Sequence, residues 1–331
     1  MLILGQEDVA ALLDCDALID ALAGAMADLS AGDAVVPART AAPVPGLAAT
    51  MLVDMPAYVP STRALISKLV SVFPGNAGGP VPVRQGVVAV FDPDTGVPAA
   101  LMDATWLTAA RTGACSALSA RLLAREDASV LAVLGTGPQA RAHALAAVRV
   151  RPIRELRIAG RDRAKASALA EAVSDDPATA GVAVRAVGSY EEALDDADVV
   201  CAATYAQEPV VRRGWIKPGT HITSVGYNPQ GREIDDQTVV DALLFVESRS
   251  AALSAVPPNR DLAEPIERGL ISAGHVRAEL GELVAGTATG RTGDEQITLY
   301  KSVGVAVQDA AAAALVLAAA RERGMGQEVS L

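Results

Sequence analysis

Apolar side chains change their spacing along this chain, and each change marks a different kind of structure. After a start signal at Gln6-Glu7-Asp8 they recur at helical intervals over 14–29, which predicts helix through most of the first 30 residues. From 35 to 98 the pattern becomes short runs broken by Pro and Gly: Ala64-Leu65-Ile66, Lys68-Leu69-Val70-Ser71-Val72-Phe73 and Gly86-Val87-Val88-Ala89-Val90-Phe91. The turn signal Asp92-Pro93-Asp94-Thr95-Gly96 follows, so these runs read as an antiparallel sheet packed on the opening helices. Residues 108–125 return to helix.

From 128 onward strands and helices alternate. Strands are predicted at 129–134, 156–159, 182–184, 199–202, 222–225 and 243–246, with helical stretches at 139–150, 164–173 and 190–194. That alternation predicts a parallel, doubly wound sheet. An Ala-rich helix over 303–323 ends the pattern; apolar nearly all round, it is expected to be buried against the first domain or a second subunit. The expected architecture is α/β, with a Rossmann doubly wound parallel sheet over 126–302 inserted into an α+β substrate-binding and dimerisation domain, 1–125 with 303–331.

Composition narrows the function. Of 331 residues 51% are hydrophobic and 20% charged, enough for a sizeable core, while aromatics at 3% leave Ala, Val and Leu to fill it. Lys plus Arg is 28 against Asp plus Glu 39, a net charge of −11 that argues against a nucleic-acid binder. The longest apolar run, 310–320, falls well short of the roughly 20 residues a membrane span needs. No Lys or Arg precedes Arg39, so the basic region of a secretory signal is not found. Cys15, Cys115 and Cys201 lie far apart, which excludes a Cys-rich zinc site and suits a reducing compartment. His143, His221 and His275 are scattered, and no metal site is expected. A cytoplasmic protein is expected.

The sharpest local motif is Gly135-Thr136-Gly137-Pro138-Gln139-Ala140, directly after a strand and opening a helix. In such a G-x-G-x-x-A turn the first glycine allows the bend, the second lets backbone approach a pyrophosphate, and Ala140 permits close helix–strand packing. Free N–H groups and the helix dipole then face phosphate, and Pro138 fits the first turn, where its missing donor costs little. An NAD-specific site ends its second strand in an acid that binds the ribose hydroxyls. Here the strand ends Ala159-Gly160-Arg161-Asp162-Arg163. Arg161 and Arg163 suit a 2′-phosphate, although Asp162 remains available for a ribose; NADP(H) is favoured, with NAD(H) possible.

Motifs throughout the chain resemble the ornithine cyclodeaminase/mu-crystallin family. They are Met55-Pro56-Ala57-Tyr58, Lys68 with Phe73-Pro74-Gly75-Asn76, Leu107-Thr108-Ala109-Ala110-Arg111-Thr112-Gly113-Ala114, the glycine turn, Ser224-Val225-Gly226, Arg232-Glu233-Ile234-Asp235, and Lys301-Ser302-Val303-Gly304 through Gln308-Asp309. The resemblance implies a homodimer that acts on a small imino or amino acid. Arg39, Lys68 and Arg111 match the family's cations for the substrate carboxylate, which would hold Cα toward the nicotinamide. By the same resemblance Arg111 and Thr112 touch cofactor phosphate, Ser302 lies close to the nicotinamide, and Gly226 belongs to the cofactor turn. Lys68 is the candidate proton donor and Asn228 the group that positions the substrate nitrogen. Glu233 reads as structural, fixing the loop that carries Asn228, and Asp309 is left open between a buried polar contact near the cofactor and a cap.

Two positions depart from ornithine cyclodeaminases. Val53 stands where those enzymes resemble one another in a glutamate, with Asp54 adjacent, and Asn228 stands at their aspartate. An amide cannot serve as a carboxylate base near neutral pH. The expectation is therefore an NAD(P)H-dependent reductase or dehydrogenase acting at Cα of a small imino or amino acid, a cyclic ketimine first. The alternatives are an ornithine cyclodeaminase that recycles NAD internally and a non-catalytic nucleotide and small-ligand binder.

Overall fold

The computed structural model describes residues 1–254 and 258–330. The chain forms two compact units, Met1–Arg111 with Ala306–Leu331, and Thr112–Val305. The division falls inside a helix, whereas the sequence reading places it at 125/126, after that helix has ended.

The first unit opens with a short strand, β1 (Leu2–Leu4), ahead of α1 (Gln6–Leu12) and α2 (Cys15–Ala31). The opening helices stand where the sequence predicts them, separated where Asp14 caps the second by accepting the Ala17 N–H at 2.8 Å. The strands β2 (Thr40–Pro43), β3 (Met51–Val59), β4 (Ala64–Val72), β5 (Arg84–Phe91) and β6 (Pro98–Asp103) follow. The β2–β6 run is an antiparallel meander, as the short apolar runs and the turn signal predict. The sheet as a whole is mixed, because β1 lies parallel to β6, a pairing too short to leave a period in the sequence.

Helix α3 (Ala104–Leu123) carries the chain across Arg111/Thr112 into the second unit. There β7 (Val130–Leu134), α4 (Pro138–Ala147), β8 (Glu155–Ala159), α5 (Arg163–Ser174) and β9 (Ala183–Ala186) build one half of a parallel sheet. The other half holds β10 (Val199–Ala202), β11 (His221–Ser224), β12 (Leu243–Val246), β13 (Val276–Glu279) and β14 (Thr298–Lys301). The strand order β13-β12-β14-β11-β10-β7-β8-β9 reverses direction between β7 and β10, the place where doubly wound sheets bind ligands. Strands β13 and β14 are additions to the sequence reading.

The chain returns to the first unit in a helix, Ala306–Arg323, and closes with β15 (Gln327–Glu328) beside β1. That last helix packs on α2 and across β3 and β4, and its buried side chains run from Ala306 to Ala320. Its all-round apolarity follows from being covered on several sides.

Candidate active site

Strand alternation decides which side chains of the first unit meet. Met55 pairs with Lys68 across β3 and β4, and Lys68 with Val88 across β4 and β5, so these three share a face. Lys68 is only 2% exposed on that face. Its Nζ lies 2.7 Å from Asp309 Oδ2, in the first turns of the final helix, and Arg111 Nε donates to Asp309 Oδ1 at 3.1 Å. Arg111 Nη1 also donates to Gln308 Oε1. Two buried cations therefore share one buried carboxylate, which leaves a surplus positive charge out of water.

The electrostatics follow that imbalance. Burial pushes the Lys68 ammonium down to about 8 although Asp309 opposes it, and Arg111 and Arg39 lower it further. Burial alone would raise the Asp309 carboxyl, but the neighbouring Arg111 and Lys68 charges and hydrogen bonds hold it below the ordinary range. Arg39 is exposed and precedes β2 rather than lying on a strand, and its charge is felt at Lys68. The first unit thus gathers all three cations predicted to grip a carboxylate.

The second unit carries the glycine turn at its switch point. Gly135 leaves β7 at φ +124, and a Cβ there would sit 2.5 Å from the Ala203 carbonyl oxygen, so only glycine fits. A Cβ on Gly137 would meet nothing within 4 Å, and no side chain caps α4. Thr136, Pro138 and Gln139 are at least partly accessible around that opening, while Ala140 is buried against the sheet. An open space over uncapped helix N–H groups fits a pyrophosphate. At the end of β8, Arg161, Asp162 and Arg163 are exposed, and Asp162 accepts the Lys165 N–H at 3.2 Å as the cap of α5.

Beyond β11 the backbone is held by buried charge. Glu233 accepts from the Thr204 N–H and hydroxyl through one oxygen, and from the Ser224 hydroxyl and Gly226 N–H through the other. A Cβ on Gly226 would lie 2.3 Å from that carboxylate. Lys301 Nζ reaches Ser224 Oγ at 2.9 Å, the Gly226 carbonyl at 3.1 Å and Asp261 Oδ2 at 2.7 Å. Asn228 is buried, donating from Nδ2 to the Ala206 carbonyl and accepting the Gln230 N–H. Ser302 donates to Glu247 Oε1, which also takes the Val303 and Gly304 N–H groups. Thr112 is buried at the start of this unit.

The chain matches the ornithine cyclodeaminase/mu-crystallin family over residues 1–324. It belongs to that family. This member is 37% identical to the ketimine reductase mu-crystallin of Mus musculus, across 90% of both chains. Its fold matches that of Delta(1)-pyrroline-2-carboxylate reductase of Thermococcus litoralis, a structure in complex with NADH and L-proline, at a TM-score of 0.93 and 37% identity, covering 99% of this chain and 100% of that one. An archaeal alanine dehydrogenase dimer with bound NAD gives 0.89 at 30% identity, over 100% and 99% of the two chains.

Within this family member the structure answers the question raised at Val53. Val53 pairs with Val70 on the face of Met55 and Lys68, whereas Asp54 lies on the other face and accepts the Ser67 hydroxyl. Asp54 therefore does not stand in for a glutamate beside Lys68. Asn228 already uses both ends of its amide on backbone groups, Ala206 after β10 and Gln230 in its own loop, so a contact to a substrate nitrogen falls to its second N–H or second lone pair. Sequence reading passed over Glu247, which follows β12 with no motif around it, and gave Gln308 no role. Asp309, left open there, is the shared partner of two cations; the signal was present in the Gln308-Asp309 pair, but its partners, Arg111 and Lys68, lie far away in sequence.

Proposed function

We propose that this chain reduces small cyclic 2-imino acids of the pyrroline- and piperideine-2-carboxylate class, with NADP(H) favoured over NAD(H). It is an NAD(P)H-dependent oxidoreductase acting at Cα of a small imino or amino acid, the chemistry named in the relatives. One observation carries the substrate reading. Lys68 and Arg111 share Asp309 in a buried site, and the remaining positive charge calls for an anion, which a substrate carboxylate supplies.

The glycine turn, from Gly135 to Ala140, would hold the pyrophosphate, and the bound dihydronicotinamide supplies the hydride. Lys68 supplies the proton, Arg111 and Arg39 orient the carboxylate, and Asn228 steadies the nitrogen. Gly160 in place of a ribose-binding acid, Asp162 spent as a helix cap, and exposed Arg161 and Arg163 favour a 2′-phosphate. The Val53 side chain on the Lys68 face supports reduction over deamination, since no carboxylate stands there for a second amine.

The protein is read as a cytoplasmic homodimer. The alanine dehydrogenase neighbour is a dimer. Here the edge strand β2 and the apolar residues Leu47, Leu52 and Phe73 are exposed, as a subunit interface requires. No helix among the described residues is long and apolar enough to cross a membrane.

Nucleotide absorbance at 340 nm, followed with Δ1-pyrroline-2-carboxylate, tests the activity. Stoichiometric oxidation is expected, with kcat/KM about tenfold higher for NADPH than NADH, the worth of one charged contact. Ammonia release from ornithine with only catalytic NAD, and no imine consumption, would replace this reading with a cyclodeaminase.

A further inference from the structure

We propose that Asp309 is a positioning residue for the proton of this reaction, holding the Lys68 ammonium charged on one carboxylate oxygen while the other fixes Arg111 for the substrate acid. The inference rests on the imine-reductase reading above and adds a residue to it. Geometry carries it: Lys68 Nζ and Arg111 Nε lie 2.7 and 3.1 Å from the two oxygens of a carboxylate that is fully buried. Asp309 sits in the first turns of the final helix, where the backbone dipole favours its negative charge, and Gln308 beside it takes a second N–H of Arg111.

Reduction of a C=N bond forms one C–H and one N–H bond. The carbon receives hydride, with both electrons, from the dihydronicotinamide, which leaves as the oxidised ring. The nitrogen receives a proton as an Nζ–H bond of Lys68 breaks, and water recharges the amine. Lys68 must therefore be an ammonium at the start of each turnover, in a site that works against it. The charged groups around it are Arg111 on α3 and Arg39 ahead of β2, both positive, and Asp309 on the final helix; Met55 and Val88 flank it in register on the neighbouring strands. Even with Asp309 in place, burial brings its titration down to about 8. Without that carboxylate every remaining influence drives it lower, and the donor is lost at neutral pH.

The sign can be read directly. An acid catalyst works below its pKa, so kcat/KM for imine reduction falls as pH rises through the titration of Lys68. In Asp309→Asn this alkaline limb is expected to move down by a unit or more, and Asp309→Glu is expected to bring it back toward the wild-type position. The chain has only four lysines, so selective ¹³Cε labelling follows Lys68 by NMR without turnover, with Lys68→Met identifying its signal. The same downward shift is expected there, and an upward shift in Arg111→Gln, which removes a positive neighbour. Should Asp309→Asn fail to fold, the Arg111→Gln titration decides by its direction. A uniform loss of kcat with an unmoved limb and unmoved Lys68 titrations would reduce Asp309 to a packing residue and overturn the proposal. Wild-type protein that consumes no imine would instead defeat the function reading, while the NMR titrations still decide whether Asp309 holds the charge.

Discussion

Each unit of the protein buries a lysine beside an aspartate, and the two lysines are used in opposite ways. Lys301 is 1% exposed and places its ammonium among three oxygens: a hydroxyl, a carbonyl and Asp261. Asp261 in turn accepts the Glu233 and Ile234 N–H groups, and Glu233 takes four donors around the Ser224–Gly226 turn. That cluster is closed, and its product is a fixed piece of backbone. Lys68 is equally buried but has a single partner among the described residues, Asp309, which it shares with Arg111. A closed cluster spends its charges on the fold; an open one keeps charge in reserve for a ligand.

Replacing each lysine by methionine breaks this comparison most sharply. Lys301→Met removes the donor to Asp261 Oδ2, Ser224 Oγ and the Gly226 carbonyl, and is expected to cost about 3–5 kcal/mol in denaturant unfolding. Lys68→Met leaves Asp309 paired with Arg111 and removes a charge that burial disfavours. The ligand-free protein should gain about 1–3 kcal/mol at pH 7 while imine reduction is lost. Equal destabilisation by the two substitutions would show that both clusters serve the fold alone. A smaller effect sharpens the contrast. A small carboxylate that carries no amine, such as cyclopentanecarboxylate, should raise the Lys68 titration and take up a fraction of a proton near pH 8–9, whereas Lys68→Met should take up none. Calorimetry in two buffers of different ionisation enthalpy measures that uptake.

The sequence shows these regions unequally, for physical reasons. The doubly wound sheet is legible because β7, β10 and β12 are continuous apolar runs, as burial on both faces requires, and because Gly135 and Gly137 punctuate the first turn. The meander is legible through its short apolar runs and the Asp92–Gly96 turn signal, but β1 and β15 are not: three and two residues give no period, and their pairing joins the two ends of the chain. Lys68 and Arg111 stand inside recognisable motifs, so both could be chosen. What they touch could not, because Asp309 reaches them through the packing of the final helix, and no local spacing encodes a contact between residues 68 and 309. Glu247 was silent for the same reason; its three donors come from residues 302–304.

The parity of strand β3 also bears on how such proteins diverge. Any valine codon becomes an aspartate or a glutamate codon by one base change, and position 53 lies on the Lys68 face whereas position 54 lies on the other. One point mutation at that codon would set a new acid beside the ammonium without disturbing a single backbone pairing, whereas the aspartate already next door lies permanently on the wrong side. On this strand, which way a side chain points decides which residues can ever come to stand beside the buried ammonium.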